Sequence, residues 1–359
     1  MRAVTGHCYA DHDYDPRTRW HGHRLFLIDG SSFSMPDTPE LQEVFGQPDA
    51  QAAGCGFPSA HLLVLFDAYN GYLLRAIVSP YRTHDMAKAA LTHSALDPGD
   101  VLLGDRAFSS FAHLALCRQR RLHGVFRAHQ KQIIDFRCNR PHVRPGAKAP
   151  AGTPRSRWLK RLGKHDQLVE YYKPAKRPSW MTEEEYARLP ETLTVRELRI
   201  QVRELGCRTK QITLVTTLLD AKRYSKRALA KLYATRWQVE TNLRHLKQTL
   251  KLDVLRCETA VGVVKELMMF VIVYNLVRRV MVEAGRRQDV KPNRISFVDA
   301  LRWLRHATPG EELRRLIVNP ERPGRAQPRA RKRRAKPYKH LTKPRATMRK
   351  ALFKQGKVA

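Results

Sequence analysis

Short bursts of apolar residues, separated by turn chemistry, organise the first third of the chain. RLFLI (24–28) reads as a buried strand that ends at Asp29 and runs into the turn-like GSSFSMPDTPE. HLLVLFDAY and YLLRAIVSP meet at Asn70-Gly71, a pair suited to the positive φ angles of a tight hairpin turn, and so predict two antiparallel strands. MAKAALTHSAL, opening at His84-Asp85, is helical in pattern and stops at Asp97-Pro98-Gly99. VLLG (101–104) is a short apolar strand ending at Asp105, FSSFAHLALCRQR a helix, and LHGVFRA another strand.

The order β-β-β-α-β-α-β is that of a ribonuclease-H-like sheet, in which the first and fourth strands lie side by side. Asp29 and Asp105 would then stand together at neighbouring strand ends, although an aspartate at a strand end also serves as an ordinary turn residue. From 130 to 220 the pattern changes. A basic, Pro-rich loop (RPHVRPGAKAPAGTPRSR) is followed by QLVEYY, TLTVRELRIQVREL and KQITLVTTLLD, all strand-like. The predicted fold class is therefore α/β: a ribonuclease-H-like mixed sheet flanked by helices and interrupted by a β-rich insertion. The expected division is a polar N-terminal segment (1–23), a first catalytic part (24–129), the insertion (130–220), a second part with C-terminal helices (221–319) and a basic, disordered tail (320–359).

After the insertion, Lys226 to Arg256 has no Pro or Gly and predicts one helix of roughly eight turns. With Tyr233 set at zero, Arg236, Glu240 and Lys247 fall at about 300°, 340° and 320°, beside a leucine stripe at about 220–280°. Taken alone, such a stripe is equally a solvated face with i,i+4 pairs worth about 0.2–0.5 kcal/mol each. Downstream, ETAVGVVKELMMFVIVYNLVRRVMVEA predicts a buried helix, and FVDALRWLRH and EELRRLIV two shorter ones.

Charge narrows the partners. With 67 Lys and Arg against 33 Asp and Glu the net charge is +34, of which 14 lies from Glu321 onward. The body is itself strongly basic, which favours a polyanion such as DNA. No membrane association is expected, since the most apolar run, Leu267 to Val277, is short and bracketed by charges. The N-terminus has no signal-peptide pattern, so the expected location is cytoplasmic. His7, His12, His21 and His23 read as part of a solvated tail, and the six cysteines, lacking any C-x-x-C pair, as reduced structural thiols with no site among them.

Asp29, Asp105 and Glu240, on three separate elements, form a donor set that suits Mg²⁺ or Mn²⁺ in a two-metal site. These residues resemble the DDE transposases of bacterial insertion sequences, specifically the insertion-sequence-four family. Its helix signature of Tyr, two residues, Arg, three residues, Glu, six residues and Lys is matched by Tyr233, Arg236, Glu240 and Lys247. LIDGSSFSMPDTPE, LLGDRAFSSF, LTVRELRIQV, ITLVTTLLD, LYATRWQVE and VYNLVRR also resemble that family, over residues 24 to 280. The resemblance implies metal-dependent hydrolysis at transposon ends and transfer of the freed 3′ hydroxyl into target DNA, with Asp29, Asp105 and Glu240 as metal-binding catalytic acids. It implies DNA contacts from Tyr233, Arg236 and Lys247, and a homodimer in a synaptic complex. Family members commonly carry a helical end-recognition region before the first Asp, so a shortened N-terminal region is expected here. A nuclease or resolvase without strand transfer, and an inactive DNA-binding remnant, are the alternatives.

Overall fold

The computed structural model describes residues 18–49, 51–83, 85–144, 146–148, 150–202, 211–321 and 341–354. Five strands build the ribonuclease-H-like part of one mixed sheet: β1 (Leu25–Ser34), β2 (Ser59–Asp67), β3 (Leu73–Pro80), β4 (Val101–Gly104) and β5 (His123–Arg127). They lie in the order β3-β2-β1-β4-β5, with β1, β4 and β5 parallel and β2 and β3 antiparallel. Central strands are apolar on both sides because both faces are covered. On β2, Leu62, Val64 and Phe66 enter one core while Leu63 and Leu65 enter the other, as the two-residue period of a strand requires.

The insertion does not stand apart from this sheet. β6 (Arg157–Gly163), β7 (Asp166–Tyr172), β8 (Thr192–Gln201) and β9 (Gln211–Thr216) form an antiparallel meander, and β9 pairs with β5, so the nine strands are continuous. Arg196 anchors it from inside: its guanidinium forks onto the Asp166 carboxylate and donates to the Tyr224 carbonyl, fully buried.

One face of the sheet, here the front, carries α5 (Lys226–Ala234), α6 (Trp237–Arg244), α7 (Ala260–Arg287) and α8 (Phe297–His306). The back face carries α2 (Asp85–Thr92) and α3 (Phe111–Gln119). α7 is long and apolar enough to cross a membrane by length and composition, yet Leu267, Val271, Tyr274 and Val277 are buried in the front core. It also grips the β2–β3 hairpin. Tyr274 donates to the Gly71 carbonyl, Asn275 bonds both backbone groups of Leu73, and Arg278 donates to the Asn70 carbonyl. Gly71 has φ +73°, and a Cβ there would lie 2.0 Å from the Arg278 guanidinium, so both the turn and the clamp require glycine.

Several local expectations change in three dimensions. GSSFSMPDTPE is not all turn: Gly30–Ser34 continue β1 in antiparallel pairing with β2, so Asp29 lies within the strand rather than at its end, and Thr38 caps a helix, α1 (Pro39–Phe45), with Pro at its first position. The eight-turn helix is interrupted twice. Arg236 N–H bonds the Tyr233 carbonyl and Val239 N–H that of Arg236, a tightened three-residue spacing, and His245–Thr249 then widens into a π turn. The helix stops before Lys251, whose φ is +65°, and the chain returns along β1, Leu255 N–H bonding the Ser34 carbonyl. EELRRLIV is an extended strap rather than a helix: Ile317 N–H is taken by Asp299 and Leu316 N–H by Gln288. His23 is not solvated but held between the Gly99 carbonyl and the Tyr224 hydroxyl, at 2.6 and 2.7 Å. Of the expected disordered tail, 322–340 and 355–359 lie outside the described residues, while α4 (Glu183–Ala187) in the insertion is followed at the C-terminal end by α9 (Arg345–Lys354). Arg345 ties α9 to Asp37 and stands over the Phe57 ring at 4.1 Å.

Candidate active site

The register of β1 and β4 brings two acids together. Leu27 pairs with Leu103 in parallel, and Asp29 and Asp105 each lie two residues further on. Leu27 and Leu103 both enter the front core, so their i+2 neighbours face the same side. Asp29 accepts from the Gly30 N–H at 2.9 Å, and Asp105 caps the following turn by accepting from the Ala107 N–H at 2.7 Å. α6, packed on β1, presents Glu240 from above.

Arg236 joins the helix to the strand. One guanidinium nitrogen lies 3.8 Å from Asp29 Oδ2 and another 3.2 Å from Glu240 Oε1. The guanidinium stands 5.9 Å from the Tyr233 ring and 5.4 Å from that of Trp237, and its buried Nε has no hydrogen-bond partner among the described residues. The tightened spacing at 232–239 rotates Arg236 toward the sheet rather than leaving it on an open helix face. Tyr233 is buried, and burial pushes its hydroxyl up to about 12, opposed by Arg236. Lys247, in the π turn, donates to the Ser32 carbonyl at 2.8 Å and lies 3.3 Å from Asp253, so it is fastened to β1 beyond Asp29.

Burial raises Asp29 to about 6, opposed by the Gly30 N–H and Arg236 and reinforced by Asp105 and Asp85. A desolvated carboxylate beside a second acid, with one guanidinium 3.8 Å away shared with Glu240, fits a divalent cation. Asp29, Asp105 and Glu240 are the residues that would hold it. Asp85 escaped the sequence reading except as a helix start. Its carboxylate packs from the back against Gly30, where a Cβ would meet it at 2.3 Å, so glycine next to Asp29 is what admits it. His61 Nδ1 stands 2.9 Å from Asp85 Oδ1, near enough for an ion pair without hydrogen-bond alignment, and Asp85 raises the imidazole's proton affinity.

A sequence model described as the transposase DDE domain matches residues 20–276. The chain belongs to that family. This DDE transposase is similar to the transposase InsG of insertion sequence element IS4 from Escherichia coli K12, at 27% identity over 93% of this chain and 72% of that protein. That likeness supports membership of the insertion-sequence-four family. A cryo-EM structure of the piggyBac transposase synaptic complex with hairpin DNA matches with a TM-score of 0.42 and 11% identity, covering 87% of this chain and 62% of the other, a likeness too slight to bear on fold or function. The transposase is thus an enzyme of DNA transposition whose DDE domain uses divalent metal.

A second group of metal-competent side chains lies on the back face. Among the described residues, His93, His113 and Cys117 are the group of three or more His, Cys, Asp or Glu whose donor atoms all approach within 4.8 Å. Burial lowers His93 to about 3 and His113 to about 4, so both imidazoles are neutral, and it lifts the Cys117 thiol to about 12. The sequence signal was present but not used: His113 and Cys117 are four residues apart on one helix.

Proposed function

We propose that the transposase hydrolyses phosphodiester bonds at transposon ends and joins the freed 3′ hydroxyl to target DNA, in cut-and-paste transposition. The observation that carries this reading is the convergence of Asp29 and Glu240 on Arg236, with Asp105 on the strand beside Asp29. Asp29, Asp105 and Glu240 would hold a pair of Mg²⁺ ions, with Mn²⁺ able to substitute. When bound, such ions activate the attacking oxygen and stabilise the leaving one. The carboxylates must be ionised to serve, and burial raises Asp29 to about 6, so below that value a proton competes with the metal and its affinity falls.

Tyr233, Arg236 and Lys247 contact DNA beside the cleaved phosphate. Arg236 is poised to exchange carboxylate partners for a phosphate, since a guanidinium matches both in the same bidentate geometry. The net charge of +34 holds the remaining DNA backbone and makes affinity salt-dependent. Two copies act together in a synaptic complex, in the cytoplasm, on the transposon ends and the target. In this reading 24–129 and 221–319 form the catalytic unit around an insertion at 130–220.

The test is a cleavage and strand-transfer assay with Mn²⁺ on DNA bearing the flanking terminal repeats, comparing the unaltered chain with Glu240→Ala. Strand-transfer product that disappears in the variant is the expected result. Cleavage without joining would instead make the protein a nuclease or resolvase, and binding without cleavage a remnant.

A further inference from the structure

We propose that His93, His113 and Cys117 form a binding site for a thiophilic divalent cation, zinc fitting best, that staples the back of the sheet independently of the carboxylates. His113 and Cys117 project from one face of α3, and His93 faces them from the short helical turn His93–Ala95 that follows α2. The two Nε2 atoms are 3.0 Å apart, and Cys117 Sγ lies 3.7 Å from His93 Nε2. Zinc bonds of about 2.0–2.1 Å to nitrogen and about 2.3 Å to sulfur place tetrahedral donors about 3.4 Å (N to N) and about 3.6 Å (N to S) apart. A few tenths of an ångström of opening between the imidazoles admits the ion.

The surrounding bonds prepare the donors. The Phe108 carbonyl can only accept, so His113 carries its proton on Nδ1, 2.8 Å away, and turns the Nε2 lone pair into the cluster. His93 Nε2–H donates to that lone pair, leaving His93 Nδ1 buried with no partner. All three residues are at most 1% exposed, and no carboxylate belongs to the group. Neutral imidazole and thiolate favour zinc over magnesium, whereas Asp29, Asp105 and Glu240 favour the reverse. On binding, two N–metal bonds and one S–metal bond form, the Cys117 S–H bond breaks, and its proton passes to solvent. His93 keeps one proton, shifted from Nε2 to Nδ1. The ion would lock α3 to the turn after α2, behind β4, the strand that leads to Asp105.

The experiment titrates the full, untagged, chelator-stripped chain with Co²⁺ and then Zn²⁺, without Mg²⁺. One equivalent of Co²⁺ should give a thiolate-to-cobalt charge-transfer band that Zn²⁺ displaces, with one proton released per ion. The band should vanish in Cys117→Ser and His93→Gln and persist in Asp29→Ala. No band, or one that survives Cys117→Ser or disappears in Asp29→Ala, would overturn the site. Should a variant fail to fold, the unaltered chain still decides. Zn²⁺ at ten times its dissociation constant should slow alkylation of Cys117 about tenfold in mild denaturant while leaving the exposed Cys138 unaffected, and equal labelling of Cys117 with and without zinc would refute the proposal.

Discussion

The two faces of the central sheet bury polar groups by opposite means. In front, Asp29 lies within β1, Asp105 just past the end of β4 and Glu240 on a helix rim, where solvent reaches Glu240, and Arg236 offsets part of their charge. Behind, His93, His113 and Cys117 are enclosed and made neutral by burial. Both faces hang on the same two strands: Asp29 extends from β1 and Asp105 from β4, while Phe26, Ile28 and Leu102 of those strands line the back core. The contrast teaches that a cluster of like charges lies where a cation can reach it, whereas the buried charge of Arg196 brings its own counter-ion in Asp166. A site of neutral donors can be sealed inside the core.

The largest expected effect separates the faces. Glu240→Gln or Asp105→Asn should lower cleavage at least about a thousandfold, the scale of several kcal/mol of lost transition-state stabilisation, while DNA retention by filter binding stays near that of the unaltered chain. Retained cleavage would remove that residue from the site. Gly30→Ala strikes both faces at once, because the new methyl meets the Asp85 carboxylate. A loss of about 1–3 kcal/mol in urea unfolding is expected, largely restored by adding Asp85→Ser. A double variant no more stable than Gly30→Ala would mean that Asp85 is not the obstruction.

Asp29→Asn should cost activity yet stabilise the metal-free fold at pH 7.5 by about 1–2 kcal/mol. The sign follows from linkage: a carboxyl raised to about 6 in the folded state, from 3.8, favours folding below its unfolded value, and this contribution is lost as pH rises through about 6. The variant's advantage should therefore shrink between pH 7.5 and pH 4, measured by thermal melts, and a constant advantage would contradict a half-buried Asp29 that gains a proton on folding. The smallest effect is that of Lys247→Ala, which should weaken DNA binding and lower the salt slope by about one phosphate. An unchanged slope would leave Lys247 only its structural contacts with Ser32 and Asp253.

Much of this architecture was legible locally. Alternation and turn chemistry marked β1 to β5 and the Asn70-Gly71 hairpin, and the spacing of Tyr233, Arg236, Glu240 and Lys247 marked the helix rim, because periodicity and turn propensity are properties of a few adjacent residues. Motif resemblance also found VYNLVRR, but only the packed structure explains it as a clamp on the hairpin 200 residues earlier. The missed features share one cause. The strap at 311–318, the end of the helix before Lys251, the enclosure of His23 and the approach of Asp85 to Gly30 each depend on a partner distant in sequence. Sequence by itself determined every strand except β6, at the end of the basic loop, and it marked Asp29 and Asp105 as the acids of neighbouring strands. Tertiary structure decided which backbone groups were already taken, and it brought the helix spacing of His113 and Cys117 within reach of His93, since such pairings are chosen by the packing of the whole chain.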